Sequence, residues 1–264
     1  MNEGMGTTYE RYILHRLFEN IRKKYAINNI LEVPSFGMTG ISGINSMWWA
    51  LNGVEVTVVD DNEIRAKAIQ DTWQEARLRA NVVYLPQNEY VLPFENKTFD
   101  LSWNFAALWH VQKIDLLLKE MKRNTKKVIL ICVPNRENIG YLMLAAERKK
   151  KSLFADNIKP RIIKNIMSNL KWRLAEDGYF DVPPWPDIAM KKEELLEKIG
   201  LSWLARRYQR AEAKRWCILD YYNGKNEGLE KDIMKYSYLE DLPQPIKRMW
   251  AHHRYFLFTP DISN

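Results

Sequence analysis

The feature that most limits what this chain can fold into is an alternation: a short β-rich run, a turn and an apolar helical stretch recur along residues 27–135. Ile30-Leu31-Glu32-Val33 reads as a strand, Pro34 to Gly43 as a glycine-punctuated turn, and Ile44 to Asn52 as a helix ended by Gly53. Val54 to Val59 forms a second strand ending at Asp60-Asp61, after which Asn62 caps a helix running to about Arg79. Val82 to Leu85 and Phe99 to Phe105 follow as strands. A helix over Lys113 to Arg123 places Ile114, Leu117, Leu118 and Met121 on one face, and Val128 to Val133 is a fifth, fully apolar strand. Alternation of this kind predicts a doubly wound, mostly parallel α/β sheet covered on both faces, because parallel neighbours need crossover connections.

Around this core domain the pattern changes. Residues 1–26 form a leading helix, with Tyr9, Ile13, Leu17, Ile21 and Tyr25 four apart. Beyond Pro134-Asn135, residues 136–250 read as a mainly helical elaboration packed on the sheet domain. It is interrupted by the stiff turn Asp181-Val182-Pro183-Pro184-Trp185-Pro186-Asp187, and a helix resumes over Lys191 to Ile199. Residues 251–264 supply a closing strand, Tyr255 to Phe258, and a tail.

Composition removes several classes. With 264 residues, 46% hydrophobic and 28% charged, the chain can bury its own core, so disordered and low-complexity readings fail. Cys132 and Cys217 lie too far apart for a zinc knuckle and are too few for a disulfide framework, so no metal is expected. No apolar run approaches the roughly 20 residues of a membrane span, and Glu3, Glu10 and Glu19 break any signal-peptide core, which predicts a cytoplasmic protein. The net charge is +7, and residues 147–173 alone carry nine bases against Glu147 and Asp156, an excess equal to the whole. Within that segment Pro160 fits a first helical position, with Ile162, Ile163, Ile166, Met167 and Leu170 on one face. Such a helix is expected either to pack on the sheet or to give peripheral membrane contact through residues 159–173.

Ligands of doubly wound sheets sit beyond the carboxyl ends of the strands, which makes the first turn the candidate binding loop. Gly37, Gly40 and Gly43 let backbone approach a ligand, and Asp60 stands where ribose hydroxyls are commonly held. The loop lacks the G-x-G-x-x-G of dinucleotide sites and the Gly-Lys-Ser/Thr of a P-loop. Five pieces in order resemble the class I S-adenosylmethionine-dependent methyltransferase family, in its small-molecule and lipid-modifying branch. They are Leu31-Glu32-Val33 with its turn, Val56-Thr57-Val58-Val59-Asp60, Leu92-Pro93-Phe94 with Thr98-Phe99-Asp100-Leu101, Leu117 to Met121, and Ile129 to Asn135.

The resemblance implies a Rossmann-like seven-stranded sheet with an antiparallel last strand, S-adenosylmethionine as cofactor, and in-line methyl transfer to a small-molecule or lipid-like acceptor. Carried over by position, Glu32, Pro34, Phe36, Gly37 and Gly40 hold the methionine moiety, Asp60 the ribose with Asp61 as its neighbouring rival, and Asn88 and Glu89 lie near the adenine. Pro34 and Phe36 stand where the family commonly has glycines, Asn88 where an Asp is usual, and no glycine precedes the fifth strand at Asn124-Thr125. Asn104-Phe105 is similar to the start of the Asn/Asp-Pro-Pro-aromatic element of amino-group methyltransferases, with Ala106-Ala107 in place of the prolines, and Asn104 is a candidate for cofactor contact and catalysis. His110 is the candidate base for an acceptor that must lose a proton, and equally a packing residue. Trp109 and Trp185 are candidates for walling the acceptor pocket, or for core. Two other functions stay open: an RNA methyltransferase using residues 147–173, less favoured because no nucleic-acid module accompanies them, and a non-catalytic cofactor-binding interaction protein.

Overall fold

The computed structural model describes residues 4–35, 42–86, 91–143, 154–183, 217–226 and 228–261. Phe36, Gly37, Gly40, Asn88, Glu89 and Trp185, and the helix expected over 191–199, lie outside these ranges. The strands are β1 (Asn29–Glu32), β2 (Glu55–Asp60), β3 (Asn81–Tyr84), β4 (Phe99–Phe105), β5 (Thr125–Pro134), β6 (Trp172–Phe180) and β7 (His253–Pro260). They form one sheet in the order β3-β2-β1-β4-β5-β7-β6. β1 to β5 pair parallel, while β7 runs antiparallel between β5 and β6, with Leu130 opposite Leu257 and Gly178 opposite Tyr255. The expected closing strand is therefore present, longer than its apolar centre.

The helices are α1 (Met5–Tyr25), α2 (Met47–Leu51), α3 (Glu63–Glu75), α4 (Ile114–Asn124), α5 (Ile139–Met143), α6 (Pro160–Asn169), α7 (Ile218–Tyr222), α8 (Leu229–Met234) and α9 (Gln244–Trp250). On one face of the sheet Phe18 of α1, Trp49 of α2 and Trp73 of α3 meet Trp103 and Val58 in one apolar cluster. On the other, Leu118 and Met121 of α4 and Ile163 and Met167 of α6 meet Ile129, Ile131, Phe256 and Phe258. The leading helix is thus part of the core: the Phe18 ring lies 5.0 Å from Trp49 and 4.8 Å from Trp103. Asn62 caps α3 as expected, its side chain accepting from Arg65 N at 2.9 Å.

Within the run over 136–250 the structure adds one strand, β6, that the sequence pattern does not mark. Five consecutive residues of this strand, 173–177, are exposed. An edge strand with Glu176, Asp177 and Gly178 at its centre has neither the apolar alternation nor the propensity that marks a strand in sequence. Gly178 is required there by packing, since a Cβ would come within 2.9 Å of the Tyr255 ring. At the entry to β5 no loop intervenes: α4 ends at Asn124, whose buried amide donates to the carbonyls of Phe94 and Glu95 at 3.0 and 2.9 Å. The junction is thereby pinned by an asparagine where the family commonly turns on a glycine.

Candidate active site at the carboxyl edge of the sheet

The carboxyl ends of β1, β2 and β4 are tied to one another. Val33 N donates to Trp103 O at 2.9 Å and Ser35 N to Val59 O at 3.0 Å, so the chain leaving β1 crosses from β4 to β2. Glu32, at the tip of β1, is 1% exposed. Ser46, just before α2, donates to its Oε2 at 2.5 Å and accepts from Trp103 Nε1 at 3.1 Å. Burial pushes the Glu32 carboxyl up to about 8, opposed by the Ser46 bond and by the charge of Arg11. Arg11, from α1, is itself 1% exposed and donates to Asn45.

Asp60 ends β2 fully buried. Its two oxygens take the Ser35 hydroxyl, the Asn62 N–H at 2.8 Å, and Arg65 Nε at 2.9 Å to each. A carboxylate offers about four acceptor sites, so Asp60 is saturated. Asp61 binds the same guanidinium through Arg65 Nη2 and keeps its side chain 27% exposed. Arg65, Ser35 and Ser46 escaped the sequence reading. The first had a signal, a cation on the first turn of a helix that begins three residues after Asp60; the serines had none.

The other candidates divide. His110 ends a 3₁₀ turn, Leu108–His110, and is half-buried. Burial lowers its pKa, opposed by the charge of Asp61, so the fold brings His110 into electrostatic reach of the Asp61–Arg65 pair. Asn104 lies apart from the acids at the strand tips. Strand alternation turns it away from the Trp103–Ser46–Glu32 side, and it lies wholly buried with its Nδ2 3.8 Å from Met121 Sδ of α4. Trp109 is 7% exposed and packs with the α4 side of the core, its ring 5.6 Å from that of His110. Pro34 follows Val33 through a cis peptide and is partly exposed at the mouth of the turn.

A pocket of about 240 Å³ opens at the end of β5, lined by Val133 to Glu137, Ile158 to Pro160 and Arg254. The bases around it are largely engaged: Arg254 meets Asp177 at 3.0 Å and Glu137 at 3.4 Å, Lys159 meets Asp156 at 2.6 Å, and Arg136 donates to the Ala155 carbonyl at 3.2 Å. In α6, Lys164 is paired with Asp177 at 2.7 Å and the apolar residues Ile163 and Met167 are fully buried. The centre of the face that a lipid surface would need is spent on the core. Among the described residues, no helix is long and apolar enough to cross a membrane.

Residues 37–131 match a family model described as a methyltransferase domain. No curated protein sequence matches the chain. Among solved structures, a putative sarcosine dimethylglycine methyltransferase from Galdieria sulphuraria is similar at TM-score 0.56 and 12% identity, over 94% of this chain and 85% of that one. A SAM-dependent methyltransferase from Archaeoglobus fulgidus is similar at TM-score 0.53 and 15% identity, over 94% and 92%. The [4+2]-cyclase SpnF is similar at 0.52 and 13%, over 94% and 81%. Residues 37–131 thus resemble a methyltransferase domain, and the seven-stranded sheet has the fold of these methyltransferases. The similar protein from Archaeoglobus fulgidus is SAM-dependent, which makes S-adenosylmethionine the ligand to compare with the site. The acidic residues present suit that ligand, with carboxylates at the tips of both β1 and β2.

Proposed function

We propose that the acceptor is a small molecule bound beyond the carboxyl ends of β4 and β5, and that the ribose is held by Asp60 once Arg65 turns to Asp61. The cofactor supplies a methyl group on a sulfonium, already activated as a leaving group, so rate depends chiefly on alignment and exclusion of water. Glu32, fixed by Ser46, presents its carboxyl at the root of the binding turn. Asp60 and Asp61 offer acceptors, and the Trp49–Trp103 wall keeps water from the base of the site.

The observation that favours a small acceptor over RNA is the pairing of two cations within the basic segment. Lys159 and Lys164 are paired with Asp156 and Asp177, so these members of the sequence-level excess meet carboxylates, whereas binding along a phosphate backbone needs open cations. A second reading, cofactor binding without methyl transfer, is favoured by the saturation of Asp60, and the fold is compatible with other chemistry, since the [4+2]-cyclase SpnF shares it. Methyl-labelled S-adenosylmethionine offered with small-molecule, lipid and RNA fractions separates them. Label in the small-molecule fraction, insensitive to salt and lost in Asp60→Ala, is expected. Label confined to RNA or lipid overturns the acceptor class, and binding without any transfer selects the second reading.

A further inference from the structure

The described residues include one convergence of metal-ligating side chains, and it lies away from the cofactor acids. Glu10 of α1, Asp181 just past β6 and His253 at the start of β7 each direct a ligand atom to one point, all within 4.8 Å of one another. His253 Nε2 lies 2.9 Å from Glu10 Oε2 and 3.9 Å from Asp181 Oδ2. All three are buried, at 4%, 2% and 5% exposure.

We propose that these three side chains bind a divalent first-row transition ion of the zinc type. With metal–ligand bonds of about 2.0–2.2 Å, neighbouring ligand atoms sit roughly 2.9–3.6 Å apart in octahedral to tetrahedral geometry. The two distances to Nε2 bracket that range, and with every separation within 4.8 Å an inward side-chain shift of at most about 1–2 Å closes the site. One imidazole and two carboxylates are borderline donors that suit Zn²⁺ and its neighbours better than Mg²⁺.

A proton does this work less completely. Nε2–H has one hydrogen to give, and Glu10 at 2.9 Å takes it, leaving Asp181 Oδ2 out of hydrogen-bond reach at 3.9 Å. Asp181 is steadied by His252, whose Nδ1 lies 2.7 Å from the same oxygen, the outer partner that a ligating carboxylate commonly has. The opposite nitrogen, His253 Nδ1, is buried without a hydrogen-bond partner, so nothing on that side holds the ring against the small rotation a bound ion requires.

The place is consistent with use. The His253 ring lies 4.7 Å from that of Phe105, the last residue of β4, and His253 pairs with Pro134 at the end of β5. Three protein ligands leave at least one position for water or a substrate oxygen. Binding of the ion itself does not depend on the methyltransferase reading, and cofactor calorimetry run alongside keeps the two apart.

The test is titration of the full-length protein, freed of metal by chelator, with Zn²⁺, and with Co²⁺ as a spectroscopic stand-in. One equivalent of Zn²⁺ is expected to bind, raise Tm and release a proton, and Co²⁺ to give visible ligand-field bands. Glu10→Gln and Asp181→Asn should each weaken binding at least tenfold. Both keep a hydrogen-bonding side chain of the same shape, and Asn tolerates the left-handed φ of 63° at position 181, so folding should survive. Should either variant fail to fold, pulsed EPR of the wild type with Mn²⁺ must still show coupling to imidazole nitrogen. No stoichiometric binding by the wild type, oxygen-only coordination, or undiminished binding in both folded variants overturns the proposal.

Discussion

Arg65 holds Asp60, the acid proposed to take the ribose, and removing it should tighten cofactor binding. In the structure Arg65 Nε sits 2.9 Å from both oxygens of Asp60, a carboxylate with no exposed surface, while the guanidinium side chain is 28% exposed. The other two donors, the Ser35 hydroxyl and the Asn62 N–H, belong to the turn and the helix cap and cannot leave cheaply. For ribose hydroxyls to reach Asp60, Arg65 must give way. Arg65→Met keeps the apolar stem and removes the charge, so the free protein loses a charged hydrogen bond that the complex has already surrendered. Such a bond contributes about 1.5–3 kcal/mol when well shielded, and partial exposure reduces it to about 1 kcal/mol. That difference appears in full in the binding equilibrium, as about fivefold tighter affinity for S-adenosylhomocysteine. The same substitution leaves Asp60 buried with fewer partners and should lower the Tm of the free protein. Calorimetry and a melting curve on one preparation read both effects. Affinity that is unchanged or weaker in Arg65→Met refutes the displacement, and with it the assignment of the ribose to Asp60.

Three further outcomes follow from the same geometry. Glu32, raised to about 8 from 4.5, keeps its proton in the folded state where the unfolded chain has lost it, so its contribution to stability is full below pH 4.5 and is lost as pH rises through 8; Glu32→Gln should match the wild type near pH 4 and exceed it in Tm at pH 9. His15 behaves oppositely: burial, aided by the charge of Arg11, lowers it to about 3, so its contribution is present above pH 6.5 and disappears as pH falls toward 3. His15→Gln, which can keep a bond to the Tyr222 hydroxyl now 2.8 Å from Nε2, should flatten the acid limb of a urea-denaturation series, and an unaltered limb would count against the buried neutral imidazole. Gly178→Ala should cost about 1–3 kcal/mol by overpacking, because the Tyr255 ring it meets is held by a 2.6 Å bond from its hydroxyl to Glu176; an unchanged Tm would show that the ring yields freely.

Much of the sheet was legible because its signals are local. β4 runs from Phe99 to Phe105 as the apolar pattern predicts, and Asn62 caps α3. The closing strand was visible through Tyr255 to Phe258, since these residues face apolar clusters on both sides of the sheet. β6 was not visible. Its stability comes from pairing with β7 along eight registered positions, Trp172 to Phe180, and an edge strand can carry charge on its open side at little cost. The pattern that identifies a strand is one of burial, and this strand buries little.

The candidate site splits along the same line. The positions of Glu32 and Asp60 were legible because both end strands that local patterning delimits, and the missed Arg65 reaches Asp60 from the first turn of the following helix. Asn104 is buried in β4, whose bounds the apolar pattern already sets at Phe99 to Phe105, on the face opposite Trp103, and its neighbour there is Met121 of α4. The far side of the carboxyl edge has no local signature, because its partners are assembled by topology: His253 meets Glu10 across 243 residues, and only insertion of β7 between β5 and β6 brings them together. A ligand gripped by one contiguous turn and the next strand can be read from spacing. A cluster assembled from the first helix and the last two strands cannot, and chemical probes of Glu10, Asp181 and His253 are therefore the more informative experiments on that side.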